Sequence, residues 1–151
     1  MRTLREPFVG VIVVTGQEPV RTTIRTIRSV LEQDWPRDRL AVVVADDTRR
    51  AALRDALALL PVVHHVPEPD RSPIDSALRL LRERFPHMVY VDLRDVGDEP
   101  GTRRFIRRCV EQLEEDATLS FAQASGGSGV IWRDEALEEL GSFPDLHLVP
   151  A

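Results

Sequence analysis

Apolar runs that suit strands alternate along the whole chain with amphipathic segments that suit helices. Five runs of mainly β-branched and other apolar residues predict strands, at Phe8–Val14, Leu40–Ala45, Val62–Val66, Met88–Val91 and Ala117–Ala122. Apolar residues at helical spacing predict helices at Val20–Gln33, Arg50–Leu60, Pro73–Phe85, Thr102–Glu115 and Asp134–Leu140. This alternation predicts an α/β fold of right-handed βαβ units with a mostly parallel sheet, whose core strand order is 3-2-1-4.

The first predicted helix shows a single apolar face. Its stripe residues are spaced by four, three and four positions, and they are Val20, Ile24, Ile27 and Leu31. Arg25 and Arg28 fall outside this stripe. We therefore expect the stripe to pack on the sheet and the two arginines to face water.

The second predicted strand ends on two adjacent carboxylates. Residues 41–45 read Ala-Val-Val-Val-Ala, which is apolar on both faces as a central parallel strand requires. Asp46 and Asp47 follow directly. Because open α/β sheets bind ligands at the carboxyl ends of their strands, this pair is expected at a ligand-binding edge. The alternative is that both carboxylates only cap the following helix, together with Thr48.

Composition narrows the class of protein. The 151 residues fit one domain, and 42% hydrophobic with 30% charged residues is ordinary for a globular chain. The net charge of −5 argues against a nucleic-acid partner, which usually needs a basic face. The single cysteine, Cys109, falls in step with Phe105 and Leu113, so we expect it in the core. No signal peptide and no apolar run of transmembrane length is apparent, so we expect a cytoplasmic protein, or one attached to a membrane only through a partner.

Two stretches resemble one enzyme family. Residues 26–47 follow the pattern T-I-R-S-V-L-x-Q-D-x-P-x-D-R-L-x-V-x-V-x-D-D, which closely resembles the nucleotide-binding half of family 2 glycosyltransferases of the GT-A fold. Residues 126–144, GGSGVIWRDEALEELGSFP, are similar to the glycine-rich loop, strand, arginine, helix and Gly-x-Phe-Pro before that family's acceptor site. This resemblance to cellulose-synthase-like, nucleotide-diphospho-sugar transferases implies one three-layer α/β/α domain over residues 1–151, truncated on the acceptor side.

The resemblance implies a site for a UDP-type nucleotide sugar at the ends of the first two strands. Thr15 stands where the family approaches the base, and Asp47 is the candidate for accepting the imide N–H of uracil. Asp46 is expected to support the turn. The family's usual aromatic-Asn pair after the first strand is absent, since the chain reads Gly-Gln-Glu at residues 16–18.

The resemblance also implies Mg²⁺ or Mn²⁺ held by an Asp-x-Asp motif at the end of the fourth strand. The chain has Asp92 but carries Arg94 at the second carboxylate position, where a cation is repelled. Either Asp95 supplies the second metal ligand, or Arg94 itself neutralises the diphosphate by bidentate contact. A third alternative is that both the metal and catalysis have been lost.

The catalytic carboxylate that follows Gly-x-Phe-Pro in the family has no clear counterpart. Asp145 and His147 are the titratable residues after Pro144, and we assign no catalytic residue. His64 and His65 are adjacent on a predicted strand and cannot both face one site, so they are interpreted as structural.

Two hypotheses follow from these residues. The chain is a small glycosyltransferase that moves a sugar from a UDP-type donor to an acceptor hydroxyl, with a partner chain completing its site. Alternatively, it is a degenerate, non-catalytic module for nucleotide sensing or protein assembly. Both predict Thr15, Asp47 and Asp92 at the carboxyl edge of the sheet. Both also predict uncovered apolar surface around Trp132 and Phe143 and hence self-association as a homo-oligomer or with a partner chain.

Overall fold

The computed structural model describes residues 6–123, 129–141 and 143. The strands are β1 (Phe8–Thr15), β2 (Leu40–Asp46), β3 (Val63–His65), β4 (Met88–Asp95), β5 (Phe121–Ala122) and β6 (Val130–Arg133). The helices are α1 (Val20–Leu31), α2 (Ala51–Leu57), α3 (Pro73–Arg84), α4 (Phe105–Glu115) and α5 (Asp134–Leu140), with a 3₁₀ turn at Arg37–Arg39.

One sheet of strand order β3-β2-β1-β4-β6-β5 runs through the described residues. The pairs β1–β2, β1–β4 and β2–β3 are parallel, which confirms the predicted core order 3-2-1-4. Beyond β4 the short strands β6 and β5 pair antiparallel. The predicted strand at Ala117–Ala122 shortens to two residues, because the Asp116 carboxylate accepts from the N–H and hydroxyl of Thr118 and forms a turn there.

Helices cover both faces of the sheet, as the predicted three-layer architecture requires. Alternate β1 residues face opposite sides, so that Val11 packs with the buried faces of α1, α2 and α4, and Ile12 packs with those of α3 and α5. The crossover helices α1 and α2 lie on one face of the sheet, and α3, which connects β3 to β4, lies on the other. The strand order therefore reverses between β1 and β4, which is the topological switch point. Cys109 is buried in the first of these layers, as predicted.

The buried face of α1 differs from the predicted stripe. Its fully buried residues are Thr23, Thr26, Ile27 and Val30, whereas Val20, Ile24 and Leu31 are half-buried. The buried hydroxyl of Thr26 has hydrogen-bond partners, whereas the buried hydroxyl of Thr23 has none among the described residues. Thr26 Oγ1 donates to the Thr22 carbonyl (3.1 Å) and accepts from the Gly97 N–H (2.8 Å), which ties α1 to the turn after β4.

The expected apolar surface around Trp132 is not exposed. Trp132 is 6% exposed and its ring centroid lies 4.8 Å from that of Phe121. Phe143 is half-buried against the same core layer. Phe121, at the edge of the sheet, is 41% exposed, and self-association stays a prediction. Among the described residues, none of the helices has the length and apolarity to cross a membrane.

Gly10 in the middle of β1 generates a prediction about packing between the sheet and α3. A Cβ at this position would collide with Sδ of Met88 and lie 3.0 Å from Cδ1 of Leu81. We expect Gly10→Ala to lower the free energy of unfolding by about 1–3 kcal/mol in urea denaturation. Gly16→Ala is the control, since a Cβ there meets only the carboxylate end of the Glu18 side chain, at 3.1 Å. Equal losses for both variants would contradict this account.

Candidate functional site

The carboxyl ends of β1 and β2 meet at a buried carboxylate. Thr15 pairs in register with Asp46, whose residue is 0% exposed. One oxygen, Asp46 Oδ1, accepts from Thr15 Oγ1 (3.3 Å), from the Thr48 N–H (2.8 Å) and from Thr48 Oγ1 (2.6 Å). The expectation that Asp46 supports the turn after β2 agrees with these contacts, because the carboxylate closes the loop onto itself.

His64 is the residue of this site that sequence reasoning did not identify. Its Nε2 lies 2.8 Å from Asp46 Oδ2, so the second carboxylate oxygen is also engaged. β3 places His64 opposite Val44, and Asp46 is two residues further along β2 on the same face. The next residue, His65, faces the other side and contacts Ser76 Oγ at 2.6 Å. The two histidines therefore do not share a site, as predicted, but one of them belongs to the candidate site.

The hydrogen bonds determine the charge state of Asp46. Burial by itself would raise the pKa of this carboxyl, yet the hydrogen bonds from Thr48 and His64 outweigh it and hold the pKa below its usual range. Asp46 is consequently an anion at neutral pH and acts only as an acceptor.

Arg50 joins the loops that follow β1 and β2. Its guanidinium donates to the carbonyls of Glu18 (2.7 Å) and Gly16 (3.1 Å) and to Thr48 Oγ1 (3.2 Å). The Glu18 carboxylate accepts from the Gly16 N–H at 2.7 Å. The sequence that replaces the aromatic-Asn pair of the resembled family thus builds a cross-linked loop of its own. The sequence contained no indication of this role, because Arg49 and Arg50 there look like ordinary basic residues at the start of a helix.

Asp47 is the carboxylate left open at this edge. Its side chain is exposed and, within the described part of the chain, forms no hydrogen bond. The turn continues through Arg49, which has a left-handed φ of 59°. A carboxylate in this position can accept from a ligand without first giving up an internal partner.

Asp92 is not at the carboxyl edge, contrary to the prediction. β4 continues to Asp95, so Asp92 pairs with Val11 in mid-sheet and is 1% exposed. Its Oδ2 accepts from Nε of Arg94 at 3.0 Å, and the Arg94 side chain is 0% exposed. Burial raises the pKa of Asp92, with the Arg94 guanidinium opposing that effect.

The guanidinium of Arg94 is held inside the fold. It donates to the Asp98 carbonyl at 2.7 Å and lies 5.0 Å from the ring centroid of Phe105. A Cβ on Gly129 would collide with its Nη2 atom, so that glycine gives the guanidinium room. A bidentate contact between Arg94 and a diphosphate would therefore require the side chain to leave these partners.

The predicted metal ligands do not converge in this structure. Asp92 and Asp95 are three residues apart in one strand, so their side chains leave opposite faces, and Asp95 is exposed. Within residues 6–123, 129–141 and 143, no group of three or more His, Cys, Asp or Glu side chains is placed to hold a metal ion. Asp92 and Asp95 therefore do not form one two-carboxylate metal site in this structure. The remaining predicted groups, Asp145, His147 and the loop at 124–128, lie outside the described residues.

Comparison of the sequence with known proteins does not assign a family. No protein-family model matches the chain. A 56-residue stretch is 36% identical to the chromatin structure-remodeling complex subunit RSC2 of Saccharomyces cerevisiae, covering 37% of this chain and 6% of that protein, which is too short to assign a family.

Solved structures of nucleotide-dependent transferases are similar over nearly the whole chain. A mannosyltransferase from Pyrobaculum calidifontis in complex with GDP-Man and Mn²⁺ has a TM-score of 0.73 and 23% identity, over 93% of this chain and 48% of its own. S. aureus TarS with UDP-GlcNAc has a TM-score of 0.67 and 17% identity, over 91% and 48%. A 4-diphosphocytidyl-2C-methyl-D-erythritol synthase has a TM-score of 0.56 and 12% identity, over 94% and 88%.

These likenesses show the fold. The chain has the three-layer architecture of nucleotide-diphospho-sugar transferases, the GT-A-like fold. It spans about half the length of the mannosyltransferase and TarS chains that it matches. The similar structures are described with guanosine, uridine and cytidine compounds. The fold alone therefore does not determine which nucleotide base is bound.

The buried Asp46 predicts a pH dependence of stability. A carboxyl whose folded pKa is depressed stabilises the fold above its unfolded pKa of about 4, and this contribution is lost as pH falls through the folded pKa. We expect Asp46→Asn to be about 1–3 kcal/mol less stable at pH 7 and to lose less stability than the parent between pH 6 and pH 2. Urea denaturation across this range measures both effects. The control, Asp47→Asn, should keep the parent's profile, and a parallel loss in both variants would contradict the assignment.

The Asp92–Arg94 pair predicts a large effect of removing one partner. Arg94→Met leaves a buried carboxylate without its counter-ion, and we expect a loss of about 3–5 kcal/mol in urea denaturation. The double variant Asp92→Leu with Arg94→Met should recover most of that loss, because no unpaired charge remains. Arg108→Met, an exposed change on α4, is the control. A double variant no more stable than Arg94→Met would show that the pair is not the source of the effect.

Proposed function

We propose that this chain binds a nucleotide sugar at the edge where β1 and β2 end, as the donor-binding part of a glycosyltransferase. The observation that carries the proposal is the exposed Asp47, held in place by the buried Thr15–Asp46–Thr48 network. A UDP-type donor is proposed from the sequence resemblance. The similarity to TarS, whose structure contains UDP-GlcNAc, supports a ligand of this class.

Asp47 is proposed to accept a hydrogen bond from the nucleoside, on its base or its ribose. Thr15 is 4% exposed and already donates to Asp46, so its contribution is to hold that carboxylate. Asp92 and Arg94 form an ion pair with each other and are proposed not to contact the ligand. Their proposed contribution is to hold the end of β4 in its conformation. Mg²⁺ or Mn²⁺ has no part in this proposal, because the carboxylates of β4 do not converge.

A second candidate function is favoured by that same buried pair. A cation position filled by Arg94 suits a module that senses a nucleotide or assembles with other proteins without transferring a sugar. Transfer would also need groups that deprotonate the acceptor. We propose that these come from a partner chain or a further segment, because this chain matches only 48% of the mannosyltransferase and TarS chains.

Calorimetry with UDP, with and without Mn²⁺, tests the binding proposal. We expect UDP to bind, and Asp47→Ala to weaken binding by about ten- to a hundredfold, since hydrogen bonds to charged groups contribute about 1.5–3 kcal/mol. Asp55→Ala is the matched control, an exposed aspartate on α2 with 72% side-chain exposure. Absence of UDP binding at millimolar concentration would reject the proposal. Multiple-turnover release of UDP with an acceptor would favour the enzyme over the sensing module.

A further inference from the structure

His64 presents one ring nitrogen to solvent, and its contact with Asp46 determines which tautomer the neutral ring adopts. Asp46 accepts at Oδ2, 2.8 Å from His64 Nε2, and an ionised carboxylate can only accept. The neutral imidazole must therefore carry its hydrogen on Nε2. Its other nitrogen, Nδ1, is left with a lone pair and is an acceptor.

The Nδ1 atom is available to a ligand. It forms no hydrogen bond with the described residues, and it is not among their fully buried unpaired atoms. The His64 side chain is 19% exposed, which is far less than an open surface residue. It reaches solvent on the face and at the edge where Asp46 and Thr15 lie.

Charged or titratable groups lie on each of the segments next to this imidazole, namely β2, the loop after β2, β3 and α3. Asp46 contributes the bonded carboxylate from β2. Arg50 bonds to Thr48 in the loop that follows. His65, next along β3, faces α3 and the charge of Arg84. Because the hydrogen bonds to Asp46 keep it ionised, a proton added to the pair goes to His64 Nδ1 and converts that atom from an acceptor to a donor.

We propose that His64 is a specificity-determining residue whose neutral Nδ1 accepts the imide N–H of a uracil or guanine base. The inference rests on the proposed nucleotide site. The base is the least polar part of a nucleotide, so the less exposed acceptor, His64, receives it and the exposed Asp47 is left for the ribose hydroxyls. A half-buried acceptor discriminates strongly, because a base without the matching donor leaves it unpaired.

Cytosine and adenine carry a lone pair where uracil and guanine carry the imide hydrogen. Neutral His64 rejects cytosine, and protonated His64 accepts it by donating from Nδ1. The ratio of UDP to CDP affinity isolates this contact, since both ligands have the same ribose and diphosphate.

Calorimetry with UDP, GDP, CDP and ADP at pH 7.5 and pH 5.5 tests the proposal. We expect UDP, GDP or both to bind about tenfold or more tightly than CDP at pH 7.5, with that preference lower at pH 5.5. His64→Gln keeps a donor for Asp46 and should make the ratio independent of pH. His87→Gln, an exposed histidine before β4, is the matched control and should keep the parent's profile.

The outcomes separate this inference from the proposed function. UDP binding with a pH-independent UDP-to-CDP ratio, or a His64→Gln variant with the parent's profile, overturns the role of His64 and leaves the nucleotide site standing. If none of the four nucleotides binds, both proposals fail. Imidazole ¹⁵N NMR gives a readout without any ligand: we expect hydrogen on Nε2 of His64, assigned by comparison with His64→Gln. Hydrogen on Nδ1 in the neutral form would overturn the inference by itself.

Discussion

The buried carboxylate of Asp46 is the group on which the candidate site depends. A charge withdrawn from water must be met by donors, because an unpaired buried carboxylate is strongly destabilising. Thr15 and His64 supply donors from the two neighbouring strands, and Thr48 supplies them from the following loop. Satisfying this one charge therefore fixes three strand ends relative to one another and leaves Asp47 exposed beside them.

A second buried charge has the opposite consequence on the other side of β1. Asp92 meets its counter-ion, Arg94, two residues along the same strand, and both side chains are withdrawn from solvent. The pair holds the turn after β4 through the Asp98 carbonyl and fills space beside Phe105. The Asp92 carboxylate is therefore withdrawn from solvent, and Asp95 is the exposed carboxylate at the end of β4.

The two ends of the site therefore carry different chemistry. The β1–β2–β3 end combines a fixed network with exposed or half-exposed acceptors, which suits recognition of a nucleoside. The β4 end is closed by an internal ion pair, and the GT-A-like fold is kept around it. The proposed nucleotide binding is therefore separable from group transfer within one architecture, and it is the property for which the described residues are better suited.

Local pattern in the sequence was sufficient for the parallel core of the sheet. The alternation of apolar strands and amphipathic helices predicted the order 3-2-1-4, and Ala41–Ala45 identified a central strand, because burial on two faces or on one stripe is written in residue spacing. The three layers were implied by the family resemblance. The position of Asp92 and the membership of His64 were decided only by tertiary structure. The length of β4 depends on Arg94, which pairs with the buried charge of Asp92. The contact of His64 with Asp46 depends on the register between β2 and β3. Local residue spacing encodes neither.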